Sequence, residues 1–101
     1  MIDVDGRVVG LAGGGPSTDP DAAVLTSLWV DPSVRGRGIG DQLIAAVVDW
    51  SKHAGFTQLF LWVAEGNTHA ERLYARNGFT RTGEVIDEPR PEFEMSRRVE
   101  V

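Results

Sequence analysis

Leu28-Trp29-Val30-Asp31-Pro32-Ser33-Val34-Arg35-Gly36-Arg37-Gly38-Ile39-Gly40 decides how the rest of this chain is read. An apolar run ends at Asp31-Pro32, because proline has no N–H to give to a strand ladder. A turn rich in glycine and arginine follows and opens a long segment whose apolar residues recur at helical spacing. Glycine lets the backbone fold tightly and leaves its N–H groups uncovered by side chains. The first turn of a helix has about four N–H donors without intrahelical acceptors, and the macrodipole adds roughly half a positive charge. Arg35 and Arg37 contribute full charges. Such a turn also serves simply to pack a helix on a strand, but donors, glycines and arginines coinciding at a helix start point to a bound phosphate or diphosphate. It is not a Walker loop, since no Gly-Lys-Ser/Thr follows. Nor is it the dinucleotide fingerprint, because Gly36-x-Gly38-x-Gly40 has the wrong last spacing.

Outward from that turn, the pattern predicts a strand over residues 22–30 before it and a helix over 38–54 after it. Leu43, Ile44, Val47, Val48 and Ala54 form the apolar stripe of that helix, and Gly55 stands where a C′ glycine belongs. Residues 58–63 (QLFLWV) read as a strand buried on both faces. A second helix is expected over 68–77, with Thr68 and Glu71 as a capping-box pair and Gly78 at its end. Nearer the N-terminus, residues 1–4 and 7–12 read as strands joined by a hairpin at Asp5-Gly6, and residues 13–21 as a glycine-rich loop. Residues 79–82 form a short strand. Residues 92–99 alternate as a half-exposed or edge strand. The expected order is β-β-β-α-β-α-β-β, an α/β domain with a mixed sheet and a parallel crossover between the third and fourth strands.

At 101 residues, 42% apolar and 25% charged, the chain suits one globular domain. A net charge of −5 argues against non-specific nucleic-acid binding, so the arginines of the glycine turn are a local feature. The absence of cysteine excludes disulfides, thiolate metal sites and cysteine nucleophiles, and suits a reducing cytoplasm. No apolar run approaches the roughly 20 residues of a membrane span. No His, Asp and Glu cluster has metal-ligand spacing, so no metal is expected.

On these residues the chain resembles the GNAT superfamily of N-acetyltransferases. Arg35-Gly36-Arg37-Gly38-Ile39-Gly40 fits the family's Arg/Gln-x-x-Gly-x-Gly/Ala signature, preceded by Leu28-Trp29-Val30-Asp31-Pro32. A second signature follows in Val63-Ala64-Glu65-Gly66-Asn67, Ala70, Leu73-Tyr74 and Asn77-Gly78-Phe79. The resemblance implies a GNAT-like acyl-CoA N-acyltransferase fold, here without the strand and two helices with which family members usually begin. It also implies transfer of an acetyl group from acetyl-CoA to a primary amine of a small molecule or peptide. The alternative is an inactive GNAT-like module that binds acyl-CoA or a partner.

The resemblance assigns roles residue by residue. The diphosphate of acetyl-CoA would lie on Arg35, Gly36, Arg37, Gly38, Ile39 and Gly40. Hydrogen bonds to charged groups are worth about 1.5–3 kcal/mol each, so three or four hold a diphosphate without magnesium. The pantetheine arm would pair with the main chain of Leu28, Trp29 and Val30 as an added strand does, and one amide there would serve as oxyanion donor. Asn67, equally readable as a helix cap, would touch the same arm. Tyr74, on a stripe with Ala70, Leu73 and Asn77, reads as core by its spacing; the resemblance makes it the acid that protonates the leaving thiolate. Glu65, a turn carboxylate, is the candidate to take the acceptor's proton through water, since Thr26 and Ser27 occupy the positions where many members carry a glutamate. With the leading helices missing, one sheet face should expose residues such as Trp29 or Trp62, which predicts a homodimer.

Overall fold

Side-chain alternation on the fourth strand shows how the sheet is used. In the computed structural model, which describes residues 2–4, 7–34 and 36–99, Leu59, Leu61 and Val63 are buried, Phe60 is half-buried and Trp62 is exposed. Successive strand residues point to opposite faces, so this strand has one buried face and one open face. The expectation of burial on both faces is corrected: α1 covers one side, and no described element covers the other.

The elements are β1 (Ile2–Val4), β2 (Arg7–Pro16), β3 (Ala22–Val30), a 3-10 turn (Pro32–Val34), α1 (Ile39–His53), β4 (Gln58–Ala64), α2 (Thr68–Arg76), β5 (Thr80–Ile86) and β6 (Glu92–Arg98). Their order is the one read from the sequence. The Asp5-Gly6 hairpin falls outside the described residues. The strands form one six-stranded sheet in the order β1-β2-β3-β4-β6-β5, antiparallel except at β3–β4. β6 therefore lies inside the sheet and β5 at its edge, which corrects the edge reading of residues 92–99. The alternation itself holds, with Phe93 and Met95 buried between half-buried Glu92 and Glu94.

β2 continues through Gly13-Gly14-Gly15-Pro16, a stretch expected to be loop. Its register with β3 runs Gly13↔Ser27 and then Gly14↔Leu25, leaving Thr26 as the extra residue of a β-bulge. Side chains of α1 lie on this glycine run. A Cβ on Gly14 would stand 3.3 Å from Trp50 Cζ3, and one on Gly10 would stand 2.9 Å from Ile39 Cγ2. Here glycine serves close packing, and the bulge bends β3 away from its neighbour.

Leu43, Ile44, Val47 and Val48 of α1 are buried as expected; Ser51, not Ala54, completes the stripe, its hydroxyl donating to Val48 O at 2.8 Å. Gly55 closes the helix with φ +90°. α2 starts differently from the expected capping box. Asn67 is the N-cap, its side chain accepting from Ala70 N at 3.1 Å, while the Glu71 carboxylate turns to Arg81. These helices and strands share a core of Leu59, Leu61, Leu73, Tyr74, Phe79, Phe93 and Met95, with Ile44 and Val48 above it.

Candidate active site

β3 and β4 pair only over Ala22↔Gln58, Ala23↔Leu59 and Val24↔Phe60. Beyond that seam the strands diverge, although β3 runs on to Val30 and β4 to Ala64. Their facing edges therefore carry main-chain N–H and C=O groups without a strand partner. A backbone polar group left dry and unpaired is costly, so such a gap is either wet or filled by something with amide groups of its own.

The gap opens into a cleft of about 640 Å³. Leu28, Trp29 and Val30 line one wall, Gly36, Gly38, Ile39 and Gly40 the start of α1, and Asn67, His69, Ala70, Leu73, Tyr74 and Arg76 the wall formed by α2 and its cap. Of the site residues singled out from sequence, nine line this cleft: Leu28, Trp29, Val30, Gly36, Gly38, Ile39, Gly40, Asn67 and Tyr74. Arg35 lies outside the described residues. Arg37 is exposed in the same turn but does not line the cleft. Glu65 is exposed in the turn after β4, also outside the lining, with its N–H donating to Pro91 O at 3.0 Å. Val34, Asp41, His69, Ala70, Leu73 and Arg76 complete the lining. Only the helical register of α2 could have brought His69 and Arg76 to notice.

Gly36 and Gly38 have φ of +83° and +76°, a region that costs other residues about 1–2 kcal/mol. Nothing lies within 4 Å of where either Cβ would be. Room is therefore left against this turn for an anion. Gln42 N donates to Gly38 O at 3.0 Å, the first bond of the helix.

Tyr74 is buried and meets Phe79 edge-to-face at 5.9 Å between ring centroids. Burial pushes its phenol above the ordinary value of 10.0, so it is a proton donor at neutral pH. No described residue hydrogen-bonds its hydroxyl, and no buried side-chain oxygen is left without a partner; the hydroxyl therefore reaches the cleft. The Asn67 oxygen caps α2, and the residue also lines the cleft. Asp41 is held well below the usual carboxylate range, at about 2, first by its hydrogen bond from Arg76 and then by that from Asn77. It is too weak a base to take a proton from an amine. Among the described residues, no group of three or more His, Asp or Glu could hold a metal ion.

Residues 1–79 match the sequence model of the acetyltransferase (GNAT) family. The probable N-acetyltransferase camello of Xenopus tropicalis is 36% identical over 83 residues, which is 81% of this chain and 38% of that protein. Among solved structures, Ard1 from Thermoplasma volcanium superposes with a TM-score of 0.85 at 26% identity, covering 95% of this chain and 66% of that one. A GNAT family acetyltransferase from Elizabethkingia anophelis, solved with acetyl-CoA bound, superposes with a TM-score of 0.82 at 19% identity, over 95% of this chain and 72% of that one. The chain spans well under half the length of the sequence relatives named here and of others like them.

Proposed function

Because the chain belongs to the acetyltransferase (GNAT) family, we propose that it moves an acetyl group from acetyl-CoA to a primary amine of a small molecule or peptide, by direct attack on the thioester. One observation carries this reading: the glycine turn, the end of β3 beyond its pairing with β4 and a protonated phenol line one cleft. The amides of residues 36–40 hold the diphosphate, with the charges of Arg35 and Arg37 beside them. The open edge of β3 at Leu28, Trp29 and Val30 pairs with the pantetheine amides, and Asn67 borders the same arm. An amide near Trp29 donates to the carbonyl oxygen as negative charge builds there. As the new C–N bond forms and the C–S bond breaks, the Tyr74 hydroxyl gives its proton to the departing sulfur. Water relays the proton lost by the amine towards Glu65 at the end of β4.

The acceptor must attack as a neutral amine. At pH 7.5 a lysine-like amine costs about 4 kcal/mol to deprotonate, whereas an α-amine costs under about 1. With Asp41 the only carboxylate in the cleft lining, and a poor base, an α-amine or another amine of low pKa is the better substrate.

Calorimetric titration with acetyl-CoA, followed by an amine panel, tests the proposal. Binding and transfer are expected; no binding at millimolar acetyl-CoA, or binding without transfer to any amine, overturns it. Two further parts of the proposal concern setting. The lack of cysteine suits a cytoplasmic protein, and no helix among the described residues is long and apolar enough to cross a membrane. Leu11, Trp29 and Trp62 are 45%, 45% and 38% exposed, which supports pairing of two copies. Light scattering that finds only single copies at high concentration overturns the pairing.

A further inference from the structure

Asp41 follows directly on the glycine turn, where a carboxylate opposes any anion bound there. Its bonds lead to the other helix. Oδ1 accepts from Arg76 Nε at 3.0 Å and from Asn77 Nδ2 at 2.8 Å, and Oδ2 accepts from Arg76 Nη2 at 2.9 Å. Asn77 is tied in three more ways. Its side-chain amide donates to Leu73 O at 2.8 Å, its N–H to Tyr74 O at 3.0 Å, and its carbonyl accepts from Arg97 Nη1 of β6 at 2.8 Å. Tyr74 thus lies three residues before a junction that joins α1, α2 and the sheet. Gly40 completes the contact, since a Cβ there would stand 3.1 Å from Leu73 Cδ2.

Stability does not account for this arrangement. The Arg76 and Asp41 side chains are 57% and 37% exposed, and an ion pair so open to water adds little to stability. What the bonds do supply is geometry, through a two-point guanidinium fork and a third donor on one carboxylate. The first half of α2 is fastened elsewhere: Glu71 accepts from Arg81 at 2.7 and 2.8 Å, and Arg81 lies 3.8 Å above the Phe93 ring. Only the end that carries Tyr74 depends on α1.

We propose that Asp41 is a positioning residue: by holding Arg76 and Asn77 it fixes α2 against α1 and sets the distance between the Tyr74 hydroxyl and the thioester of a coenzyme whose diphosphate lies on the glycine turn. This rests on the acetyltransferase reading of Tyr74. The test is a double-mutant cycle of Asp41→Asn with Tyr74→Phe. Asp41→Asn alone lowers kcat about tenfold while acetyl-CoA affinity stays within about threefold; in the Tyr74→Phe background it costs no more than about twofold, as coupled residues require. An equal fall in both backgrounds, or a loss confined to KM, overturns the proposal. A second readout needs no turnover. Tyr74 is the one tyrosine, so ultraviolet titration follows a single phenol. In Asp41→Asn its midpoint moves down towards 10, and an unchanged midpoint overturns the clamp. A wild type that transfers no acetyl group sinks the functional reading instead, and leaves the titration to judge the clamp alone.

Discussion

Tyr74→Phe keeps the ring that packs against Phe79 and removes only the hydroxyl that reaches the cleft. It is expected to leave folding and acetyl-CoA affinity intact and to lower kcat about a hundredfold, the lower end of what general acids contribute; calorimetry and steady-state rates check both halves. The phenol's pKa is raised on folding. The neutral group's share of stability is therefore whole below pH 10 and is lost as pH rises through the folded value. Wild type should lose melting temperature relative to Tyr74→Phe in that alkaline window. Gly38 makes a different demand. Gly38→Ala forces a methyl-bearing residue to φ +76°, at about 1–2 kcal/mol, and sets that methyl in the open space of the cleft. Calorimetry should show acetyl-CoA binding weakened by about tenfold or more. The glycine was legible in the sequence because its demand is local, a turn that must tighten; Tyr74 read as core by its spacing, which its burial bears out, and only the family resemblance marked its hydroxyl.

Helices and strands were legible where one pattern decided them and misread where a distant contact did. Residues 22–30 form β3 as expected, and α1 sits within a residue of its expected bounds at each end. The glycine run of residues 13–15 looked like loop because nothing near it in sequence shows that Val47 and Trp50 would lie against Gly14 and favour a flat strand. The start of α2 was misread for the same reason. Thr68 and Glu71 have capping-box spacing, but Glu71 finds Arg81, ten residues on, and Asn67 takes the cap. Asn67→Ala should accordingly cost about 1 kcal/mol in a thermal melt, and Thr68→Ala almost nothing. Asp41 was invisible as a site residue, since its partners Arg76 and Asn77 lie 35 and 36 residues away.

At the scale of the whole molecule, the order of elements along the chain and the sheet's mixed direction followed from the sequence, and the position of β6 did not. Alternation announces one polar face equally for an edge strand and for an interior strand of a half-covered sheet, and Trp62 shows that this sheet is half-covered. The paired signatures gave the cleft. They named Asn67, Ala70, Leu73 and Tyr74 on its α2 wall but not Asp41 or Arg76, because α2 meets α1 through side chains, Leu73 on Gly40 and Arg76 on Asp41.

The short β3–β4 seam makes the molecule two half-sheets hinged at three residue pairs, with α1 laid across the joint. A coenzyme arm seated in the fork would act as a splint. Bound at a hundred times its Kd, any ligand raises global stability by about 2.7 kcal/mol. Splinting adds a spatial signature to that sum: amide hydrogen exchange should slow most on the fork sides of residues 25–30 and 61–64, and least on β5, which the ligand never bridges. Uniform slowing across all six strands would mean that the fork is already stiff when empty.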